Sequence, residues 1–190
     1  MTKEEAFIKY KEIYNYANIG IELEDVVDIN KLMLCPCANT IDTGLAFEGA
    51  LMFHTIMVWH FANKLLPLYN KIGVINAQSL AKVIVLHQIG KIDMFTPNSN
   101  EWEIDKLGKA YVFAESEVCL KVGERSKLIS SNSGIKFSLE EYEAMGILDK
   151  SAEEYENMSR YRTHLSTLLK MSNDMAYTVA RERFKMSNKK

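Results

Sequence analysis

Proline and glycine are scarce: three and nine in 190 residues. That is too few for a chain built from many short strands and tight turns. Cysteine is nearly as rare. Cys35 and Cys37 flank Pro36, and Cys119 stands far away. An odd count with no second pair at zinc-ribbon spacing excludes a disulfide framework and predicts reduced thiols. No charge sign dominates, since 23 basic residues face 25 acidic ones for a formal net charge of −2. The broad basic field of a dedicated nucleic-acid binder is absent, and no nucleic-acid partner is expected. The longest apolar stretch, Ala50 to Leu68, is interrupted by His54, His60, Asn63 and Lys64. It reads as a buried helix and not as a membrane span, so no membrane partner is expected. The acidic start, Met1 to Glu5, lacks the apolar run of a secretory leader. Together these features predict a cytoplasmic protein. No G-x-S-x-G, Walker-type or G-x-G-x-x-G motif occurs.

What the chain does contain is a core. Hydrophobic residues make up 47%, with two Trp, nine Tyr and eight Phe. A chain of this length buries roughly 70% of its unfolded surface and folds without a staple. There is no internal repeat or linker, so residues 1–190 read as a single domain.

Most apolar periods are helical. Thr2 and Glu5 form a capping box that opens a helix over 3–17, and Gly20 ends that unit. A second helix is predicted over 23–34, followed by a loop from Cys35 to Gly44. Phe47, Ala50, Leu51, His54, Val58, Phe61, Ala62 and Leu65 follow an i, i+3, i+4 series. His54 falls inside that buried stripe and His60 off it. After a turn at Asn70 to Asn76, Leu80, Val83, Ile84 and His87 repeat the pattern, with Gly90 closing the helix. Glu101 to Asp105 and Ala110 to Phe113 alternate polar and apolar residues around Gly108, which predicts a two-stranded ribbon over one mouth of the core. Short helices are predicted over 124–131 and 138–147, the latter opened by a Ser138–Glu141 capping box. One long helix or two abutting ones run from about 152 to 184. The inner row there includes Leu165, Leu168, Met171, Ser172, Met175 and Val179, with Asp174 at its edge. The tail, 185–190, is expected to fray.

Two inward histidines on consecutive helices, with an acid on a later one, form a candidate metal constellation. Core histidines bonded to backbone are the competing explanation. The surrounding residues carry a resemblance. Phe47-Glu48-Gly49-Ala50-Leu51-Met52-Phe53-His54 resembles the Y-E-G-G-L-L-x-H helix of the HD phosphohydrolase superfamily. Val85-Leu86-His87-Gln88-Ile89-Gly90-Lys91 resembles its L-H-D-I-G-K signature, and Lys121 to Ser126 its G-H-G-E-K-S turn. Cys35 to Thr40 looks like the A-P-A-S-T segment of some members, and Leu168 to Ala176 like the helix carrying the family's last aspartate. The likeness spans about residues 30–180, in order.

This resemblance implies an all-α, HD-domain-like helical bundle with a small two-stranded β-ribbon. It also implies a site in which a metal-activated water attacks a phosphoester, often of a nucleotide. Carried over, the metal ligands are His54, His87 and Asp174. Lys91 matches the motif lysine and would pair with a phosphate, or simply complement a helix C-terminus. Arg125 is a phosphate fork or a solvated surface residue. Trp102 and Tyr111 either stack on a base, at about 1–3 kcal/mol each, or close the ribbon over the core.

The family's ligand positions are depleted here. The aspartate of the HD pair is Gln88, and family histidines are replaced at Gly44, Val122, Ala144 and Met171. A two-metal site with ions about 4 Å apart cannot be assembled from the remainder. At most one divalent ion, manganese, iron, zinc or similar, is expected, weakly held or absent. The leading expectation is therefore a degenerate HD-fold protein that binds a nucleotide or other phosphorylated small molecule with weak or no hydrolysis, sequestering or sensing a signal. Gln88, Lys91, Arg125, Trp102 and Tyr111 would contact the ligand. A mononuclear metal-dependent phosphohydrolase and a structural, partner-binding helical protein are the alternatives, and a homodimer is compatible with any of them.

Overall fold

Thr2 and Glu5 cap the first helix reciprocally, with Glu5 N–H on Thr2 Oγ1 at 3.2 Å and Thr2 N–H on the Glu5 carboxylate at 2.8 Å. From there the computed structural model describes residues 1–71, 74–116, 118–157 and 162–188. Helix dominates: α1 (Lys3–Tyr16), α2 (Leu23–Val26), α3 (Ile29–Leu34), α4 (Ala50–Tyr69) and α5 (Ala77–Leu86) come first. The chain continues through β1 (Phe95–Pro97), α6 (Glu101–Leu107), β2 (Tyr111–Phe113), α7 (Val122–Asn132) and α8 (Leu139–Met145). It ends with α9 (Ala152–Asn157) and α10 (His164–Ser187). Among the described residues no helix is long and apolar enough to cross a membrane.

The core lies where α10, α4, α5 and α1 meet. Leu51, Ile84, Leu86 and Leu168 are buried there, each contributing about 1.5–3 kcal/mol by leaving water. Tyr10 of α1 donates its buried hydroxyl to the Val85 carbonyl of α5 at 2.6 Å. Small residues on α4 and α10, including Ala50, Ala62, Ser172, Ala176 and Ala180, let these two helices approach closely. His54, Val58, Leu80, Val83 and Ile84 are buried and His60 is exposed, as the helical periods predict.

Several boundaries differ from the sequence expectation. The helix expected over 23–34 breaks in two, because Asp28 caps α3 by accepting the N–H groups of Asn30 and Lys31. The helix of the second histidine ends at Leu86 with His87 as its cap, and Gly90 lies beyond it in a 3₁₀ turn, Ile89–Lys91. The ribbon is real, but its first strand is β1, pairing antiparallel with β2 in the register Phe95↔Phe113, Thr96↔Val112, Pro97↔Tyr111. Residues 101–107, expected as a strand and turn, are α6 instead. Asn100 accepts the Glu103 N–H at 3.2 Å, Glu101 and Glu103 complement the helix N-terminus, and Gly108 ends it in the left-handed conformation. On α10 the buried row is Leu165, Leu168, Leu169, Ser172, Asn173, Ala176 and Ala180. Met171 and Met175, expected inside, are 41% and 40% exposed. The expected frayed tail is helical as far as Ser187, and Lys189 and Lys190 lie outside the described residues. The centre of the expected turn, residues 72–73, and the junction at 158–161 also lie outside them.

Two glycines bring the site elements together. Gly44 has a φ of +70°, and a Cβ there would sit 2.5 Å from the Ala180 carbonyl oxygen, so the loop after α3 lies directly on α10. Gly90 packs against α7, where a Cβ would sit 2.8 Å from Ser126 N and 2.8 Å from Arg125 Cβ. Gly90→Ala is expected to lower unfolding stability by about 1–3 kcal/mol in urea titrations, because rigid backbone has to shift. An unchanged midpoint would contradict this packing.

Candidate functional site

Four segments converge beside the C-terminal end of α5: the N-terminal part of α4, the 3₁₀ turn with Gln88 before it, the loop after α3, and the centre of α10. Each contributes a buried polar side chain. His54 on α4 is 0% exposed and Asn173 on α10 is 5% exposed. Asn173 Oδ1 meets His54 Nε2 at 2.9 Å and accepts from Gln88 Nε2 at 3.0 Å. Gln88 Oε1 in turn accepts from the Cys37 thiol at 3.1 Å. Lys91, 8% exposed, donates to the Cys37 carbonyl at 2.6 Å and to the Tyr177 hydroxyl at 2.9 Å, with Cys37 Sγ at 3.4 Å. The His54 and Tyr177 rings lie against each other with centroids 4.3 Å apart. Ser126 fixes the turn from α7, accepting the Gly90 N–H at 2.9 Å and donating to the His87 carbonyl at 3.0 Å.

Burial sets the protonation of these groups. It lowers the His54 pKa to about 3, against a smaller opposing effect of the Asn173 bond. It lowers that of His87 to about 4, partly offset by the Ile84 carbonyl 2.7 Å from Nδ1. Both imidazoles are thus neutral at physiological pH. Burial also works against the Lys91 ammonium, but Cys37 and Tyr177 outweigh it and hold the lysine above its ordinary value. Burial pushes the Tyr177 phenol up.

A cavity of about 240 Å³ opens beside this cluster, lined by His87, Gln88, Lys91, Asn173 and Tyr177 together with Val122, Gly123, Asp149, Lys170 and Asp174. A second cavity, about 260 Å³, lies across Lys91 and is lined by Cys35, Phe95, Pro97 and Tyr111 among others. Of the residues singled out in the sequence, His87, Gln88, Lys91 and Asp174 share the first cavity, and Tyr111 lines the second with Lys91.

The others are placed differently. Asp174 points away from His54: its carboxylate pairs with Lys170 at 2.9 Å and is 57% exposed. The inward residue is its neighbour Asn173, because one step along an α-helix turns the side chain by about 100°. Arg125 is not a free fork. Its Nε donates to the Gly90 carbonyl at 2.8 Å and its Nη2 to the Ile92 carbonyl at 3.3 Å, so the guanidinium clamps the 3₁₀ turn. Trp102 is 61% exposed on α6, lines neither cavity and is not on the ribbon. Lys91 is a buried tether between loop and helix, with its ammonium on protein acceptors.

The donor set does not fit a metal ion. Among the described residues no three His, Cys, Asp or Glu side chains are grouped so as to hold one. His54 turns its Nε2 to an amide oxygen, and neutral amides neutralise a divalent ion poorly. No family model, curated protein or solved structure matches the chain. Sequence reasoning missed Asn173, Tyr177, Cys37 and Ser126 as members of the cluster. The spacing of Asn173 and Tyr177, four residues apart, was the available signal, since it puts both on one helix face.

The two histidines set a pH response. The unfolded chain protonates them near the ordinary value of 6.5, whereas the folded chain resists until about 3 and 4. The unfolded state therefore binds more protons below about 6.5, and stability falls as pH drops from there toward 4. The melting temperature is expected to decline through that window, with a shallower decline in His54→Gln. Parallel declines would contradict a neutral buried His54.

Proposed function

We propose that the chain is a divergent HD-type helical domain that binds a phosphorylated small molecule, a nucleotide or a similar compound, and hydrolyses it weakly or not at all. The observation that carries this reading is the position of the Asn173 amide oxygen, which takes both His54 and Gln88 as partners. A hydrolytic centre of this family type needs carboxylate and imidazole donors around an ion that activates water. Here the corresponding space is spanned by neutral hydrogen-bonded groups.

The adjoining cavity supports the binding half of the reading. Lys170 stands in its wall. The Lys170–Asp174 pair is an i,i+4 surface pair, worth only about 0.3–0.5 kcal/mol, so an incoming phosphate takes the lysine at little cost. The cavity's 240 Å³ is below the roughly 300–1,000 Å³ of drug-sized sites, which favours a ligand headgroup over a large dinucleotide. Such a protein fits signal sequestration or sensing better than turnover.

A thermal-shift and calorimetry panel of mono-, di- and cyclic nucleotides tests this. A ligand present at 100 times its Kd stabilises by about 2.7 kcal/mol, a rise of several degrees. Lys170→Ala should weaken binding about tenfold, and no phosphate should be released with manganese, cobalt or nickel added. A flat panel would end the binding reading. Metal-dependent turnover lost in His87→Ala would favour the hydrolase instead.

A further inference from the structure

The hydrogen bonds of the cluster run in one direction. The Cys37 thiol donates to Gln88 Oε1 at 3.1 Å, and Gln88 Nε2 donates to Asn173 Oδ1 at 3.0 Å. His54 Nε2 meets the same oxygen at 2.9 Å. The Asn173 oxygen is thereby turned into the cluster, and its amide nitrogen is left at the end of the chain with two N–H donors. Neither finds an acceptor among the described residues. Asn173 is 5% exposed and lines the 240 Å³ cavity. His54 Nδ1 and His87 Nε2 are sealed in without partners, whereas the unpartnered Asn173 nitrogen opens on the cavity. A buried donor in this position is stabilised by an acceptor inside the cavity.

The neighbouring groups agree in sign. Lys170, three residues earlier on α10 and so on the same helix face, lines the same cavity. Its ammonium pairs with Asp174 at 2.9 Å, and that carboxylate is 57% exposed, free to turn to water when a ligand takes the lysine. The Tyr177 hydroxyl accepts from Lys91 at 2.9 Å, which leaves its own proton for Cys37 Sγ at 3.6 Å or for the cavity. The other carboxylate in the lining, Asp149, already accepts the Gly123 N–H at 2.8 Å. The unmet hydrogen-bonding capacity of α10 here is therefore donor capacity.

We infer that Asn173 reads the ligand: its Nδ2 donates to an oxyanion headgroup, a phosphate or a carboxylate, whose charge is met by Lys170. This deepens the proposed function and rests on its placing the ligand in this cavity. An ammonium or guanidinium headgroup brings only donors to the Asn173 nitrogen and is rejected by the same contact.

The test uses the full chain labelled with ¹⁵N-asparagine, the Asn173 side-chain amide signals being assigned by their loss in Asn173→Ser. Inorganic phosphate should shift these signals, and methylammonium should not. Asn173→Ser withdraws the donor without adding charge and should weaken phosphate about tenfold. Asn173→Asp keeps the oxygen that His54 and Gln88 use, so it should fold, and it should bind phosphate no better than Asn173→Ser. Asp174→Asn frees Lys170 and should tighten phosphate. Signals unmoved by both phosphate and acetate, or phosphate binding unchanged in Asn173→Ser or Asn173→Asp, would overturn the inference. If acetate shifts the signals and binds more tightly than phosphate, the Asn173 seat stands and the phosphorylated-ligand reading falls. If nucleotides bind with the Asn173 signals unmoved, that reading stands and the inference is wrong.

Discussion

Asn173 holds one oxygen between two donors from different segments, and the rest of the site is arranged around that atom. His54 reaches it from α4 and Gln88 from the turn after α5, while Asn173 itself rides on α10. Three elements distant in sequence are thereby fixed to one another by uncharged hydrogen bonds. In a low-dielectric interior this is favourable, since the Asn173 oxygen and the Gln88 amide nitrogen are paired without a buried charge. The same arrangement removes the anionic character that an ion between imidazoles would need.

Lys91 supplies the second constraint. A buried ammonium with no carboxylate partner is costly, and here it persists because a carbonyl, a phenol and a thiol surround it. In exchange it ties the Cys37 loop to α10 and separates the two cavities. This explains why a lysine in a motif-like position is not the cation that meets a ligand; Lys170, three residues before Asn173 on α10, is the cation proposed for that role. Arg125 and Ser126 do similar work on backbone, holding the 3₁₀ turn so that His87 and Gln88 face their partners.

Much of this was legible in the sequence, and the failures have physical causes. Long periodic segments announced themselves: the α4 stripe with His54, the α5 stripe, and both side-chain capping boxes need only local rules. The inner row of α10 was misjudged because methionines are apolar yet tolerate exposure, whereas Ser172, Asn173 and Ala176 are small or polar and buried by helix approach. Residues 101–107 have a period too short to separate strand from helix, and the Asn100 cap decides the matter. The site was half visible. His54, His87, Gln88 and Lys91 were found, while Asn173, Tyr177 and Cys37 act through long-range hydrogen bonds that no local pattern encodes. Arg125 looked like a ligand residue because nothing in a sequence reveals which carbonyls a guanidinium will find.

The most direct measurement of the central claim is a double-mutant cycle on Gln88→Leu and Asn173→Leu by denaturant unfolding. Asn173→Leu strands the His54 and Gln88 donors and should cost about 1–3 kcal/mol. Because the two amides act as one unit, the double variant should cost less than the two single losses combined, with a coupling of about 0.5 kcal/mol or more. Losses that add to within about 0.3 kcal/mol would contradict the account.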